Sequence, residues 1–270
     1  MTNHDIVKYS DEMIRISKLA ASEILKVYMD PLNFGVETKE DGSPLTIADQ
    51  ISHTIITTNL RKSFPEIPIV SEEDNSGWGS GGSKLYWLID PLDGTKEFVK
   101  RNGEFTINIA LISEGYPLLG VVTVPVSNMI YIGGKDIGSQ KIVNSKVENI
   151  KVKKISSFLP LKLIASRSHL NDATRDFITK LNIKEIVEYG SSLKFCKIAE
   201  GEVDIYPRLA PTCEWDTAAA QAVLEGAGGI VVDLHGRRLK YGKEEILNPF
   251  FIATSLSLES LGEITRVNYQ

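Results

Sequence analysis

Cysteine, histidine and long apolar runs are scarce in this 270-residue chain, and each shortage excludes a class of protein. The only two cysteines, Cys196 and Cys213, argue against a disulfide scaffold, and neither lies in a C-x-x-C motif that would bind structural zinc. No apolar run approaches the roughly 20 residues that span a membrane. The N-terminus lacks the basic and apolar regions of a signal peptide. We therefore expect a cytoplasmic protein, with peripheral association at the inner membrane face left open.

A surplus of basic residues is also missing. The net charge is −5 and no block of lysine or arginine occurs, which argues against a nucleic-acid polymer as partner. A single nucleotide stays possible because it needs only a local site. Hydrophobic residues make up 42% of the chain and charged residues 24%, which is ordinary for a globular protein of one large domain or two modest ones.

The apolar pattern divides the chain into two regions. Helical spacing predicts helices over 5–29 and 46–64, and short β-branched runs between 67 and 134 predict a sheet. The polar segment 135–160 is the best candidate for a domain joint. Beyond it strands and helices alternate, which predicts α/β layering. The helices predicted there cover residues 171–181, 191–200 and 216–225.

Acidic residues collect where predicted strands end. The stretch "YWLIDPLDGTKEF" runs from apolar residues into Asp90 and Asp93. Pro91 and Gly94 can bend the chain so that both carboxylates and the Leu92 carbonyl face one point. Like charges this close repel each other unless a cation lies between them. The stretch therefore indicates either a hard-cation site or a plain Asp-Pro turn.

Three further acidic residues each allow two interpretations. Glu72 in "VSEED" follows another predicted strand. It is either a cation ligand or part of a solvated acidic loop. Asp216 in "EWDTAA" starts a predicted helix, where an aspartate can cap the helix and still offer an oxygen to a metal. Asp49 in "TIAD" lies near the third position of its helix, as in a capping box.

Taken together, "SEED", "WLIDPLDGTKEF", "NGEFTINIALI", "GSSLKFCKIAEG" and "EWDTAA" resemble the inositol monophosphatase superfamily of Mg²⁺-dependent, lithium-sensitive phosphatases. The resemblance spans nearly the whole chain. It is strongest to the 3′(2′),5′-bisphosphate nucleotidases, of the bacterial type tied to sulfate assimilation. It implies a layered α/β/α/β/α sandwich with the metal site between two subdomains. Residues 1–157 would carry most metal ligands, and residues 158–270 would carry Asp216 and the nucleotide contacts.

The resemblance also implies roles for individual residues. Two or three Mg²⁺ ions would be held by Glu72, Asp90, the Leu92 carbonyl, Asp93 and Asp216. Thr95 and Asp49 would orient or deprotonate the attacking water. Substrate contacts would come from Glu72, Leu92, Asp93, Gly94, Thr95, Lys96, Ser166, His169, Gly190, Lys194, Arg208 and Asp216.

Two cations favour a substrate with a second phosphate. Lys96 follows "DGT", and Arg208 precedes "EWD", where the inositol branch has a residue suited to sugar hydroxyls. An arginine fork matches a phosphate, although Arg208 could equally be a solvated surface residue and His169 a surface residue at a helix start. We therefore expect removal of the 3′-phosphate of adenosine 3′,5′-bisphosphate, with its 5′-phosphosulfate form as a second substrate.

Two other functions stay open at this point. One is an inositol or sugar monophosphatase that uses the same metal site. The other is a non-catalytic, cation-dependent nucleotide-binding protein, against which the Asp49 and Thr95 pair speaks, since a mere binder has no need to position water. In each case the partner is a small phosphorylated molecule, and the sequence leaves monomer and homodimer open.

Overall fold

Two β-sheets and the helices packed on them form the described part of the chain. In this computed structural model that part covers residues 3–30, 35, 37–38, 44–74, 83–155, 160–167 and 171–266. The first two helices, α1 (Asn3–Met29) and α2 (Ile47–Ser63), confirm those predicted from helical spacing. Between them, β1 (Glu37–Thr38) pairs with β2 (Pro44–Leu45) in antiparallel fashion. None of the described helices is both long enough and apolar enough to cross a membrane.

The first large sheet has seven strands that neighbour each other in chain order. Its strands are β3 (Ile69–Ser71), β4 (Leu85–Asp93), β5 (Thr106–Ser113), β6 (Tyr116–Val124), β7 (Met129–Gly134), β8 (Gly138–Val143) and β9 (Lys146–Ile150). Strand β3 runs parallel to β4, and all other pairs are antiparallel. The short helix α3 (Thr95–Val99) connects β4 to β5.

Strands β8 and β9 correct the prediction of a polar joint over 135–160. They form a hairpin at the edge of the sheet, and most of their residues are at least partly exposed. An edge hairpin that faces water can be polar along both strands, so its composition resembles that of a linker. The boundary predicted at 157 lies among residues 156–159, which are outside the described part, and the division into two subdomains stays a prediction.

The second large sheet has five strands in the order β11-β10-β12-β14-β13. They are β10 (Lys162–Ser166), β11 (Glu185–Tyr189), β12 (Ile205–Arg208), β13 (Ile230–Asp233) and β14 (Phe251–Thr254). The helices of this half are α4 (Asp172–Lys180), α5 (Leu193–Ala199), α6 (Ala218–Gly226) and α7 (Leu258–Arg266). The alternation of strands and helices agrees with the predicted α/β layering.

Three buried clusters order these elements into five layers. One cluster joins α1 and α2 to one face of the seven-stranded sheet, and a second joins its other face to α5, α6 and the inner face of the five-stranded sheet. A third covers the outer face of the five-stranded sheet with Phe177 from α4 and Leu261 from α7. Successive strand residues point to opposite faces, so Trp87 joins the first cluster and Leu88 the second. The predicted α/β/α/β/α sandwich is confirmed.

Helix α6 approaches the seven-stranded sheet so closely that a glycine is needed beneath it. A Cβ atom added to Gly120 of β6 would lie 2.2 Å from the Ala219 carbonyl oxygen, which is backbone and cannot move alone. The same helix follows directly after Asp216, one of the candidate metal ligands. The close packing of α6 therefore helps to set the position of that carboxylate.

We expect Gly120→Ala to lower the free energy of unfolding by about 2 kcal/mol, because the added methyl group forces α6 away from the sheet. Chemical denaturation measures this change. Gly262→Ala is the matched control, since a Cβ atom at Gly262 in α7 meets nothing within 4 Å. A Gly120→Ala protein as stable as wild type would contradict the packing described here.

Candidate active site

One cleft between the two sheets contains most of the residues that the sequence singled out. Its volume is about 930 Å³ with the open mouth included. The cleft is lined by Glu72, Asp90, Leu92, Asp93, Gly94, Thr95, Lys96, Glu97, Ser166, Gly190, Ser191, Lys194, Phe195, Tyr206, Arg208, Thr212, Asp216, Thr217 and Phe251. Asp49 is connected to the cleft by a hydrogen bond from the lining residue Thr95. His169 lies outside the described residues.

The end of β4 supplies two carboxylates in a distorted stretch of strand. The pairing of β4 with β5 shifts register between Asp90 and Asp93, so the Asp-Pro segment is an irregular strand end rather than a plain turn. The Asp90 Oδ1 atom accepts a hydrogen bond from the Leu92 N–H at 3.0 Å. Gly94 then reverses the chain with φ of +90°, a conformation that costs glycine little. The predicted role of Gly94 in this reversal is confirmed.

Helix α2 fixes this strand end from one side. The Ser52 hydroxyl donates to the Pro91 carbonyl oxygen at 2.7 Å, and both groups are buried. The next residue of the helix, His53, has its Nδ1 atom 2.9 Å from the hydroxyl of Ser71, the residue before Glu72. These contacts hold the chain segments that carry Glu72 and Asp90 against one helix.

Asp216 lies two residues before the start of α6. Its Oδ2 atom accepts a hydrogen bond from the Cys213 N–H at 2.9 Å. The residue at the N-cap position is Thr217, so the prediction that Asp216 caps the helix is wrong. The reason is that the chain makes a turn from Cys213 to Asp216 before the helix begins, and the aspartate caps that turn instead.

Burial and neighbouring charges raise the pKa of the three aspartates in the cleft. Burial raises the pKa of Asp90 well above its usual value, and the charges of Glu72, Asp93 and Asp216 raise it further. The pKa of Asp216 is raised well above its usual value by burial, then by Asp93 and Glu72. For Asp93 burial raises the pKa to about 6, against the opposing charge of Lys194. Burial is therefore the main cause of the raised pKa in all three aspartates.

The chemistry of these donors fits a hard cation. Carboxylate and carbonyl oxygens are the ligands that Mg²⁺ prefers, and a bound cation would stabilise the charged form of carboxylates whose pKa burial raises. Within the described residues, no three His, Cys, Asp or Glu side chains already form a metal-binding group. Asp90, Asp93 and Asp216 each turn one oxygen to a backbone N–H instead.

Asp49 uses its two carboxylate oxygens for different contacts. Its Oδ2 atom accepts from the Thr46 N–H at 2.7 Å and from the Thr46 hydroxyl at 2.6 Å, which confirms the capping-box arrangement. Its Oδ1 atom accepts from the Thr95 hydroxyl at 3.2 Å. Because one oxygen satisfies the helix end, the other is left for Thr95 at the floor of the cleft.

A cationic side of the same cleft is formed by Lys194 and Arg208. Lys194 is only 5% exposed, and burial lowers its pKa to about 8 even though Asp93 opposes that effect. Arg208 lies in β12 and is 9% exposed, so the interpretation as a solvated surface arginine is wrong. Its Nη2 atom donates to the Pro211 carbonyl at 2.8 Å, whereas its buried Nε atom finds no hydrogen-bond partner among the described residues.

The remaining predicted contacts line the cleft in less direct ways. Lys96 is exposed and Ser166 ends β10. Gly190 packs against its neighbours, because an added Cβ atom would lie 2.5 Å from Glu97 Cγ. Its N–H donates to Glu104 Oε2 at 2.8 Å. Gly190 therefore allows the two halves of the chain to pack closely together. Its contact with the substrate stays a prediction.

Several lining residues were not predicted as site residues. They are Glu97, Ser191, Phe195, Tyr206, Thr212, Thr217 and Phe251. Glu97 belongs to the acidic stretch "DGTKEF", and Ser191 and Phe195 belong to "GSSLKF", so their motifs offered a signal. Tyr206 and Phe251 read as ordinary strand residues, and only the antiparallel pairing of β12 with β14 brings them to the cleft.

Comparisons with known proteins agree with this arrangement. The model of the inositol monophosphatase family matches residues 9–261. The 3′(2′),5′-bisphosphate nucleotidase CysQ of Escherichia coli strain K12 is 42% identical over 245 residues, 89% of this chain and 97% of the relative. CysQ of Buchnera aphidicola is 38% identical over 258 residues, 92% of this chain and 94% of the relative.

Solved structures give the same result. The crystal structure of CysQ from Bacteroides thetaiotaomicron, a bacterial member of the inositol monophosphatase family, has a TM-score of 0.79 and 37% identity, and the match covers 92% of this chain and 98% of that one. An inositol monophosphatase from Anabaena shares the fold with a TM-score of 0.76 at 24% identity, over 98% of this chain and 97% of that one. The chain therefore belongs to the inositol monophosphatase family.

Proposed function

We propose that this protein is a Mg²⁺-dependent phosphatase that removes the 3′-phosphate of adenosine 3′,5′-bisphosphate to give AMP and phosphate. Family membership makes it a phosphoric monoester hydrolase. The observation that carries the choice of substrate is the cleft itself, which has an acidic cluster and two buried cations, Lys194 and Arg208. The relatives named 3′(2′),5′-bisphosphate nucleotidase support the same choice.

The proposed metal ligands are Glu72, Asp90, the Leu92 carbonyl, Asp93 and Asp216, and we propose that they hold two or three ions. A bound Mg²⁺ would supply the positive charge that lets an anionic ester approach the carboxylates and that stabilises the leaving oxygen. The protein's contribution is to hold the three aspartates, Asp90, Asp93 and Asp216, each by a backbone N–H, so that little reorganisation is needed when the substrate arrives.

Thr95 and Asp49 would handle the proton of the attacking water. Asp49 Oδ2 is already occupied by Thr46, so Oδ1 is the oxygen that can take the Thr95 hydroxyl proton. The lone pairs of Thr95 Oγ1 then accept a proton from water as its oxygen forms the new bond to phosphorus. The ester bond breaks, and the ribose oxygen leaves as a hydroxyl after it takes a proton from a solvent water molecule.

The cationic side of the cleft would bind the second phosphate of the nucleotide. A buried Arg208 Nε without a partner among the described residues has an unmet hydrogen-bond donor, which a phosphate oxygen would satisfy. Lys194 adds charge from α5, and Lys96 adds charge from an exposed position on the cleft. An inositol monophosphate offers no second anion to these groups, which favours the nucleotide.

Further parts of the proposal follow from the resemblance. We propose that the 5′-phosphosulfate form of the nucleotide is a second substrate, that the enzyme acts in the cytoplasm in sulfate assimilation, and that Li⁺ inhibits it.

A phosphate-release panel tests the substrate. With millimolar Mg²⁺, we expect turnover of adenosine 3′,5′-bisphosphate and its phosphosulfate form at a kcat/KM at least about 100-fold above that for inositol monophosphate, since a charged hydrogen bond contributes about 1.5–3 kcal/mol. Addition of Li⁺ should slow the reaction. Faster turnover of inositol monophosphate would support the inositol phosphatase instead, and nucleotide binding without phosphate release would support a non-catalytic binder.

Arg208→Gln tests the second-phosphate site. We expect kcat/KM for the bisphosphate to fall about 100-fold, because the charged hydrogen bond from Nε to the second phosphate is lost. Hydrolysis of p-nitrophenyl phosphate, which has no second phosphate, should stay near the wild-type rate. Arg175→Gln, at an exposed arginine of α4, is the matched control. An equal loss on both substrates would contradict the assignment of Arg208.

Replacement of Thr95 tests the proton path. Thr95→Val should lower kcat by about 100-fold or more with little change in KM, because general acid–base catalysis typically contributes that much. Thr95→Ser keeps the hydroxyl and should retain most activity. Steady-state kinetics of the two variants measures the difference, and a valine variant as active as the serine variant would refute the role of the hydroxyl.

A further inference from the structure

Three buried polar side chains meet beside Asp93 and have no part in the proposed reaction. Thr106, Asn108 and Ser192 are at most 1% exposed. Thr106 and Asn108 are two residues apart in β5, so they lie on the same face of the strand. Ser192 comes from the other half of the chain, directly before α5. Burial of three polar groups is favourable only if each is hydrogen-bonded.

Their contacts form a connected network. The Ser192 hydroxyl lies 2.8 Å from Asn108 Oδ1 and 2.9 Å from the Thr106 hydroxyl. Thr106 Oγ1 lies 3.2 Å from the same Asn108 Oδ1 and, at the longer distance of 3.5 Å, from Asp93 Oδ2. An amide oxygen can only accept hydrogen bonds, so two hydroxyls on this side turn the amide NH₂ group to the opposite side.

The opposite side of the amide faces Asp93. Asn108 Nδ2 donates to Asp93 Oδ2 at 3.3 Å, and the Ser192 N–H donates to the same oxygen at 2.6 Å. A reversed amide would bring its oxygen against the carboxylate, where the two would repel. The network therefore occupies Oδ2 and leaves Oδ1 for a cation.

The network also connects the two sides of the cleft. Asp93 and Asn108 belong to the seven-stranded sheet, whereas Ser192 lies two residues before Lys194 on the cationic side. A shift of α5 would move the Ser192 N–H and hydroxyl together, and with them two supports of Asp93. The orientation of the carboxylate thus depends on the seating of the helix that carries Lys194.

We propose that Asn108 is a positioning residue for Asp93, held in its orientation by the hydroxyls of Thr106 and Ser192, and that it raises the affinity of the site for Mg²⁺. This inference rests on the proposed metal role of Asp93.

Calorimetric titration of Mg²⁺ alone into the full-length protein, without substrate, tests the inference. Asn108→Leu should raise the Mg²⁺ dissociation constant about tenfold, because a hydrogen bond to a charged group is lost. Thr106→Val should raise it about threefold, the effect of one neutral hydrogen bond, and Thr106→Ser should leave it unchanged. Thermal unfolding confirms that each variant is folded.

Thr123→Val is the matched control for Thr106→Val. Thr123 is a buried threonine of the same sheet, but its hydroxyl donates to Ser17 at 2.8 Å and is not part of the network. Its replacement should leave Mg²⁺ affinity unchanged. A loss equal to that of Thr106→Val would overturn the proposal, because general packing would then explain both.

The outcomes separate this inference from the proposed function. A wild-type protein that binds no Mg²⁺ would overturn both. A wild-type protein that binds Mg²⁺, with a folded Asn108→Leu variant of equal affinity, would overturn the positioning role alone. If Asn108→Leu does not fold, the comparison of Thr106→Val with Thr106→Ser decides, and equal affinities there would refute the proposal.

Discussion

The crowding of carboxylates in one partly buried cleft is the constraint on which the rest of this structure depends. Glu72, Asp90, Asp93 and Asp216 come from three segments of the chain and line this cleft. Burial raises the pKa of the three aspartates, and neighbouring carboxylates raise it further. Such a cluster costs free energy when no cation is bound. The fold offsets this cost only in part, through backbone N–H donors and Lys194. A divalent cation is the partner that would offset the remainder.

The cleft lies between the two sheets of the five-layer fold and is lined by residues of both. The central hydrophobic cluster contains residues from both sheets and from α5 and α6 between them. Helix α6 packs on Gly120, and Gly190 lets the turn before α5 pack closely against Glu97 and Glu104. This close packing fixes the segments that carry Asp216 and Lys194. The acidic and cationic sides of the cleft therefore share one core, so that changes to the packing of one side reach the other.

Local signals in the sequence pointed to parts of the cleft but did not assign them. Asp90, Asp93 and Gly94 stand out at a strand end, yet a plain turn stayed open until the family resemblance implied a metal site. The T-x-x-D pattern of Asp49 identified its helix start. Contacts between distant residues could not be predicted in this way. Ser192 and Asn108 are 84 residues apart, and Arg208 is a buried residue of β12, which pairs with the distant strand β14.

The edge hairpin of β8 and β9 was missed for a different reason. Most of its exposed residues are polar, so composition alone cannot distinguish it from a linker.

The most direct test of the central claim is a crystal structure grown with Mn²⁺, whose anomalous signal locates the ion. We predict anomalous peaks between the carboxylates of Glu72, Asp90, Asp93 and Asp216. Peaks confined to surface acidic groups, with the cleft carboxylates uncoordinated, would contradict it.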